Sequence, residues 1–180
     1  MKGKGTGTRI DLTWDKVKGA TGYDVYWSYC NGKNNFNKLA NVPKSQKYAD
    51  KNLNNKREYK YFTVAYKMSG GKKVYLGRTN TVHVAMPYAA KTNILKVTVN
   101  KTKVNLAKGK TFKITKKVKL ENPKKKALNH LTKKERFITS YAKVATVSSA
   151  GVIKAVRKGT CTVYVMSENG VCAKIKVTVK

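Results

Sequence analysis

Few side chains in this sequence have the chemistry that catalysis or metal binding requires. Beside eight acidic residues, the reactive side chains are Cys30, Cys161, Cys172, His83 and His130. Catalysis needs a nucleophile next to a base, and a zinc site needs clustered ligands that often include a CxxC pair. The cysteines show no CxxC spacing, the acids are scattered, and His83 alternates with Val82 and Val84 like a strand residue. We therefore expect no catalytic residue, no metal site, no cofactor and no enzymatic activity.

Positive charge dominates the composition. Forty Lys and Arg residues face eight Asp and Glu residues, which gives a formal net charge of +32. Only five of the forty are arginine, the residue best suited to paired hydrogen bonds with phosphate. A surface made mostly of lysine attracts acidic polymers in general and keeps a protein soluble. The charge therefore predicts weak polyanion binding, and it does not identify a nucleic-acid site.

Alternation of apolar and polar residues extends over most of the chain. It is clear from Ile10 to Trp14 and again from Ala173 to Val179. Turn sequences such as Asn31-Gly32 and Asn169-Gly170 separate the alternating runs. A period of two residues indicates strands that bury one face, so we predict an all-β protein. The best helix candidate is the short segment 126–136.

The lysine-rich stretch KGKTFKITKKVKLENPKKK, residues 108–126, follows the same rule. Phe112 and Ile114 alternate with lysine and threonine, which places the lysines on the solvent face of a strand. Lys116 falls on the apolar parity, so we expect a β-bulge at this lysine and the next. Past the bulge, Val118 resumes the inward position. The stretch therefore predicts a solvated sheet face followed by a charged loop.

The alternation breaks near residues 85–93. Pro87 ends one run, and Leu95 begins the next. We predict a domain at 1–87, a linker at 88–93 and a second domain at 94–180. Each half has the size of one β-sandwich, which is roughly 100 residues.

Aromatic residues in the first half have a specific spacing. Trp14 ends one strand, the strand GYDVYW follows, and Leu53 stands six residues before Tyr59. This pattern resembles the fibronectin type III domain over residues 7–86. The resemblance implies that Tyr59 packs inward and returns its hydroxyl to the backbone near Leu53, as a tyrosine corner. It also implies a core that contains Trp14, Tyr23, Trp27, Leu53 and Tyr59.

The amino terminus departs from this family pattern. Strand A of the fold should precede Ile10, where the sequence offers only MKGKGTGT. Glycine-rich segments are poor strands. We therefore expect strand A to be short or missing, either because it is vestigial or because the chain begins after it.

The second half carries a longer string of motifs. VTVNKTKVNLAKGKTFKI is followed by AKVATVSSAGVIKAVRKGTCTVYV and then by IKVTVK. These stretches resemble the bacterial Ig-like domain, group 2 (Big-2), over residues 94–180, with Phe137 as a core residue in place of the usual strand C tryptophan. The lysine-rich style of the chain is similar to surface proteins of Gram-positive gut anaerobes. Together the resemblances imply two tandem Ig-like β-sandwiches joined by a short linker.

The alternation of inward and outward positions places two of the cysteines on opposite faces of the sheet. Cys161 shares the inward parity of Val163, whereas Cys172 has the outward parity. Side chains on opposite faces cannot reach the Cβ separation of about 3.8 Å that a disulfide needs. We predict that Cys161 is buried and not bonded to Cys172. Whether Cys30 or Cys172 pairs with another molecule stays open.

An outward-facing aromatic cluster is predicted on the first domain. If Tyr59 points inward, then Phe62, Val64 and Tyr66 on the same strand point outward, and Tyr26 on the neighbouring strand does so too. Exposed apolar clusters often mark interfaces. We predict these four residues as a candidate interaction patch. The alternatives are that the linker or second domain covers them, or that their exposure is merely tolerated.

The resemblances imply a non-catalytic extracellular module pair of a bacterial surface or secreted protein. It would act as an adhesion or spacer segment of a larger polypeptide, with a protein or glycan partner that the sequence does not identify. One alternative is a polyanion binder that takes a cell-wall polymer, an acidic glycan or nucleic acid through its lysines. Another is an accessory module of a glycan-degrading enzyme or of a phage particle.

Membrane insertion is not expected. No stretch approaches the ~20 apolar residues of a membrane-spanning helix. No apolar segment follows the basic amino terminus, so we expect any signal peptide to lie outside this chain.

Overall fold

The computed structural model describes residues 1–30, 35–131 and 136–180. Within these ranges it contains strands, turns and loops and no α-helix, which confirms the all-β prediction. The helix candidate at 126–136 is not helical over 126–131; residues 132–135 and the turn Asn31-Gly32 lie outside the described residues. In the described part, no helix is long and apolar enough to span a membrane.

The chain forms two compact units, and each is a β-sandwich. The first unit comprises Met1–Asn93 together with Lys124–Leu128. The second comprises Ile94–Pro123 together with Asn129–Lys180. The predicted fold class, two tandem Ig-like β-sandwiches, is confirmed.

Eight strands are described in the first unit. They are β1 (Lys2–Thr6), β2 (Arg9–Thr13), β3 (Gly22–Tyr29), β4 (Asn37–Pro43), β5 (Lys47–Asp50), β6 (Glu58–Ser69), β7 (Lys72–Arg78) and β8 (Val82–Ala85). One sheet has the order β1-β2-β5. The larger sheet has the order β4-β3-β6-β7, and β8 also pairs with β6. All these pairings are antiparallel.

Alternate residues of these strands fill the core of the first unit. Among the residues predicted for this core, Trp14, Tyr23 and Tyr59 are only 6%, 2% and 2% exposed. Trp27 and Leu53 are partly buried and pack against the same cluster. The other buried members are Ile10, Leu12, Val25, Val42, Tyr61, Ala65, Val82, Val84 and Met86. Burial of alternating side chains is what holds the two sheets together.

Tyr59 closes a tyrosine corner at the start of β6. Its hydroxyl accepts a hydrogen bond from the Asn54 amide at 3.0 Å, one residue beyond Leu53. The Leu53 amide donates to the carbonyl of Thr8 at 2.8 Å. Because a buried tyrosine needs a partner for its hydroxyl, this contact fixes the loop that leads into β6.

Strand A is present as β1, which corrects the prediction that it is short or missing. β1 pairs with β2 over all five of its residues. A Cβ atom on Gly3 would lie 2.4 Å from Cγ2 of Val84 on β8. Glycine normally weakens a strand, but here only a residue without a side chain lets the backbone approach β8 this closely.

Residues 88–93, predicted as a linker, are part of the first unit. Ala89, Thr92 and Asn93 are buried. The Asn93 side-chain amide makes two hydrogen bonds of 2.8 Å with the backbone N–H and C=O of Ala85. A segment with buried side chains and paired polar groups is an ordered extension of the sandwich.

The segment Lys124–Leu128 also belongs to the first unit, although it lies within the second half of the sequence. Leu128 is 2% exposed and clusters with Ala85 and Ala89. Its amide donates to the carbonyl of Thr92 at 2.9 Å. The prediction of a plain charged loop missed this contact, because one apolar residue after a run of lysines shows no periodicity.

Nine strands are described in the second unit. They are β9 (Ile94–Val99), β10 (Lys103–Leu106), β11 (Thr111–Lys113), β12 (Lys116–Leu120), β13 (Phe137–Thr139), β14 (Ala145–Val147), β15 (Val152–Ala155), β16 (Gly159–Met166) and β17 (Cys172–Val179). They form three sheets with the orders β10-β17-β16-β13, β11-β15-β14 and β12-β9. β10 and β17 are parallel, and the other paired strands are antiparallel.

The β16–β17 hairpin defines the positions of two cysteines. Cys161 is 5% exposed and pairs with Val177 on the core side, whereas Cys172 pairs with Met166 at the other end of the hairpin. The structure holds all three cysteines as thiols. This register agrees with the prediction that the two are not bonded to each other. Phe137 on β13 is partly buried against the same core.

The lysine-rich stretch at 108–126 differs from its prediction. It forms two strands instead of one bulged strand, because β11 pairs with β15 and β12 pairs with β9. Ile114, between them, is 5% exposed, and Val118, predicted inward, is 47% exposed. The register irregularity lies between Lys119 and Leu120. When the chain passes from one sheet to another, the positions that face the core can change. A β-bulge has the same effect on the sequence pattern, so the pattern does not distinguish the two.

The close packing of β1 on β8 predicts that a methyl group added at Gly3 destabilises the first unit. Replacing Gly3 with alanine should destabilise the first unit by about 1–3 kcal/mol, because the new Cβ would overlap Val84. Lys4→Ala, at an exposed position on the same strand, is the control and should change stability by less than about 0.5 kcal/mol. Both tryptophans, Trp14 and Trp27, lie in this unit, so fluorescence during denaturation reports its unfolding. Equal midpoints for the two variants would contradict the packing of β1 on β8.

Candidate functional site

The outer face of the larger sheet of the first unit, which points away from the core, holds the four predicted patch residues. β3 lies beside β6, with Tyr26 opposite Phe62 and Asp24 opposite Val64. Tyr66 lies two positions beyond Val64 on β6 and so shares its side. Tyr26 and Val64 are half-buried.

Three rings form a cluster on the outer face. Tyr26 and Phe62 stack with their centroids 4.9 Å apart and their planes 10° apart. Phe36, just before β4, packs edge-on against Phe62 with a centroid distance of 4.7 Å. Sequence reasoning missed Phe36, because it is a single aromatic residue in a polar stretch.

Cationic side chains cover two of the patch residues, which corrects the prediction of an exposed aromatic surface. Phe62 and Tyr66 are only 9% and 5% exposed. The Arg78 guanidinium lies 4.0 Å from the Phe62 centroid, and the Lys73 ammonium lies 4.1 Å from the Tyr66 centroid. Long cationic side chains can cover apolar surface with their methylene groups while the charge stays in water. The outer face therefore presents positive charge that rests on aromatic rings.

A buried carboxylate organises the charges near Tyr66. Asp24 is fully buried, and its Oδ1 lies 3.0 Å from Nζ of Lys38 and 2.8 Å from Nζ of Lys73. Asn41 Nδ2 donates to the same oxygen at 2.7 Å and to the Tyr66 hydroxyl at 2.8 Å. Burial raises the pKa of Asp24, but the hydrogen bonds from Lys73, Asn41 and Lys38 outweigh it and leave the pKa below 3.8. The contact with Asp24 also raises the pKa of Lys73.

Gly22 makes room for this arrangement. A Cβ atom there would lie 2.3 Å from the Tyr66 hydroxyl oxygen. The tyrosine ring lies across β3 at this point, which requires a residue without a side chain. Sequence reasoning could not find this role, since Gly22 and Tyr66 meet only when β3 and β6 pair.

A second group lies on the larger sheet where β3 ends beside β6. The Sγ atom of Cys30 and Nδ1 of His83 are 3.3 Å apart, and both residues are half-buried. His83 lies on β8, so its assignment as a strand residue holds. Sequence reasoning did not connect the two residues, because 53 positions separate them.

The outer face is suited to binding acidic groups. The Lys38 side chain is 47% exposed and Arg78 is exposed, so both can contact a ligand in solvent. Nε and Nη2 of Arg78 donate to the Thr79 carbonyl at 3.3 Å and to the Thr81 hydroxyl at 3.0 Å, so Nη1 is the group that can meet a carboxylate, sulfate or phosphate. Asp24 is held by two lysines in its ionised form, which suits a structural counterion and not a proton-transfer group.

A family model matches the second half of the chain. Residues 94–179 match the family model of the bacterial Ig-like domain (group 2), which confirms that part of the resemblance. A search of curated proteins found no match.

Similar solved structures include surface-layer and fibronectin-type proteins. The S-layer protein SbsC is 18% identical, and the alignment covers 92% of this chain and 21% of that chain with a TM-score of 0.38. The FN1-FN3 domains of chicken CNTN1 are 15% identical, with 99% of this chain and 62% of that chain covered and a TM-score of 0.35. At TM-scores below 0.5, neither similarity bears on function.

The Asp24 cluster predicts a stability difference that depends on pH. Asp24→Asn leaves Lys38 and Lys73 without their counterion, so we expect a loss of about 1–3 kcal/mol at neutral pH. Because the folded pKa of Asp24 is lowered, this contribution is fully present above about pH 3.8 and is lost as the pH falls through the folded value. The difference between wild type and variant, measured by denaturation, should therefore shrink in acid.

A matched control exists on β2. Asp11 pairs with Arg9 at 2.9 Å, but both side chains are exposed, so Asp11→Asn should change stability by about 0.5 kcal/mol or less. If Asp24→Asn were no more destabilising than Asp11→Asn, the buried cluster would have no stabilising role.

Proposed function

We propose that the chain is a non-catalytic extracellular module pair of a bacterial surface or secreted protein, where it acts as a spacer or interaction segment of a longer polypeptide. The observation that carries this proposal is the tandem of two β-sandwich units, the second of which matches the bacterial Ig-like domain. Each unit has its own hydrophobic core among the described residues. Such units can be inserted in series to hold other domains away from a cell.

The charge supports an exposed location. The chain has forty basic residues against eight acidic ones, and a net charge far from zero keeps a protein soluble and keeps its copies apart. Lysines on exposed strands also discourage edge-to-edge pairing of sheets. These properties suit a module that is surrounded by solvent on most sides.

Surface location is tested on intact cells of the bacterium that encodes the chain. Antibodies against the second unit should label intact cells, or detect the chain in the medium, and external protease should remove the cell-bound signal. A cytosolic enzyme followed in the same samples is the control and should stay protected. Recovery of the chain only from the cytosol of lysed cells would contradict the proposal, whereas recovery in phage particles would favour a phage accessory role.

A second candidate function is binding of acidic polymers through the outer face of the first unit. The specific observation that favours it is the placement of Arg78 and Lys73 over aromatic rings, with Lys38 beside them. Rings hold these cations in position, so an acidic glycan or cell-wall polymer would meet a pre-arranged set of charges instead of mobile lysines. The four predicted patch residues would then act as the support of the binding surface.

Salt dependence and a matched pair of variants test this function. The double variant Arg78→Gln with Lys38→Gln should weaken heparin binding on the order of tenfold and lower the slope of log affinity against log salt by about two. The control, Lys143→Gln with Lys154→Gln, removes the same charge from exposed positions of the second unit and should weaken binding much less. Equal losses for the two variants, or no retention at physiological salt, would reduce the interaction to generic charge attraction.

A further inference from the structure

The pairing of β3 and β8 with β6 brings a thiol and an imidazole together in the first unit. The Cys30 amide donates to the carbonyl of Glu58 at 3.0 Å, and His83 pairs with Lys60 two residues further along β6. This register leaves Cys30 Sγ at 3.3 Å from His83 Nδ1. A nucleophile within hydrogen-bond reach of a base is the arrangement that activates a cysteine.

A cavity of about 400 Å³ opens beside the thiol. This volume falls in the range of small-molecule sites, roughly 300–1,000 Å³. Its lining residues are Tyr29, Cys30, Asn54, Lys56, Arg57, Glu58 and Ala90. The lining contains two cations and one carboxylate, so the cavity favours an anionic occupant.

We propose that Cys30 is a nucleophilic thiol, activated by His83, that exchanges with small carboxylate-bearing disulfides held in this cavity. The half-buried thiol is reachable from solvent. Electropositive, partly exposed surroundings stabilise the thiolate, which is the reactive form.

The exchange step balances without a further reactant. The Cys30 S–H gives its proton to Nδ1 of His83, which requires the ring proton of the neutral imidazole to be on Nε2. The thiolate attacks one sulfur of the small disulfide, a new S–S bond forms to Cys30, and the old S–S bond breaks. The departing thiolate takes the bonding electron pair and recovers the proton from His83. Cys30 is oxidised to a mixed disulfide, and half of the reagent is reduced to a thiol.

The other two cysteines provide internal controls. Cys161 is 5% exposed in the core of the second unit, so it reacts only when that unit unfolds. Cys172 is half-buried like Cys30, and it lies opposite Met166 on the β16–β17 hairpin. Because the two cysteines are similarly exposed, a difference between their reaction rates reports activation of the Cys30 thiol and not its accessibility.

Several charged and titratable groups among the described residues of the first unit surround the pair. They include Lys56, Arg57, Glu58, Lys60 and Tyr61 from β6 and the loop before it, Tyr29 from β3, and His83 from β8. The cations outnumber the single carboxylate, so their combined field favours the thiolate.

The test compares single-thiol reactivity in the full chain. Cys172→Ser leaves Cys30 as the accessible thiol, and Cys30→Ser leaves Cys172. Each protein is reacted with dithiobis(nitrobenzoate), a disulfide that bears carboxylates, near pH 7, where an ordinary thiol with a pKa of about 8.5 is mostly protonated and an ordinary imidazole with a pKa of about 6.5 is mostly neutral. We expect the Cys172→Ser protein to react on the order of tenfold faster than the Cys30→Ser protein.

Two further variants separate the effect of the His83 imidazole on the reaction rate from the effect of the positive charge that lines the cavity. In the Cys172→Ser background, His83→Gln should remove most of the rate by which Cys30 exceeds Cys172, both with dithiobis(nitrobenzoate) and with uncharged dithiodipyridine. Lys56→Gln should slow only the anionic reagent, by about threefold. Thermal unfolding followed by tryptophan fluorescence checks that the first unit stays folded. The comparison of the two cysteines remains decisive even if His83→Gln destabilises it.

Three outcomes would overturn the proposal. Cys30 could react no faster than Cys172, or His83→Gln could react as fast as its parent. Alternatively, Cys30 could become reactive only after treatment with a chelator, which would show that the pair holds a metal ion. The result does not depend on the proposed surface role, since it concerns chemistry within one unit.

Discussion

Hydrocarbon burial in two cores has to outweigh the mutual repulsion of forty cationic side chains. A fully buried aliphatic or aromatic side chain contributes about 1.5–3 kcal/mol. Exposed charges that are more than about 8 Å apart are largely screened at physiological salt. Burial is therefore much the larger effect under these conditions, and the alternating pattern can place lysine on the solvent side of many strands. At low salt the charges are screened less, so we expect the stability of this fold to fall more than that of a sandwich with an ordinary net charge.

Three of the eight acidic residues are buried in the part of the chain that the structure describes. Asp24, Asp50 and Glu168 are all nearly or fully buried. Asp50 accepts a hydrogen bond from the Tyr61 hydroxyl at 2.8 Å, and burial raises its pKa. Glu168 pairs with Arg136 in the second unit. Two of the eight acids, Asp24 and Glu168, thus serve as buried counterions of cations, where a negative charge interacts most strongly.

Much of the fold follows from local pattern, because the two-residue period reports directly which side chains face the core. The inward position of Trp14 and the separation of Cys161 from Cys172 could be derived in this way. The corner at Tyr59 is implied by the resemblance to the fibronectin type III domain. Strand β1 could not, since the need for glycine at Gly3 arises from a neighbour on a distant strand.

The candidate site shows the same limit. Parity placed Tyr26 and Phe62 on one face, and the structure pairs them there. Parity could not show that Arg78 lies over Phe62, because the reach of a long side chain from another strand is a tertiary property. The contact of Cys30 with His83 is equally non-local.

The covered aromatic face and the proposed binding of acidic polymers concern the same surface. A cation over a ring at an exposed position is held by only about 0.5–1 kcal/mol. Arg78 is also held by hydrogen bonds from its guanidinium to the Thr79 carbonyl and the Thr81 hydroxyl. An acidic group would therefore pair with the guanidinium where it lies, and Phe62 would stay covered beneath the cation.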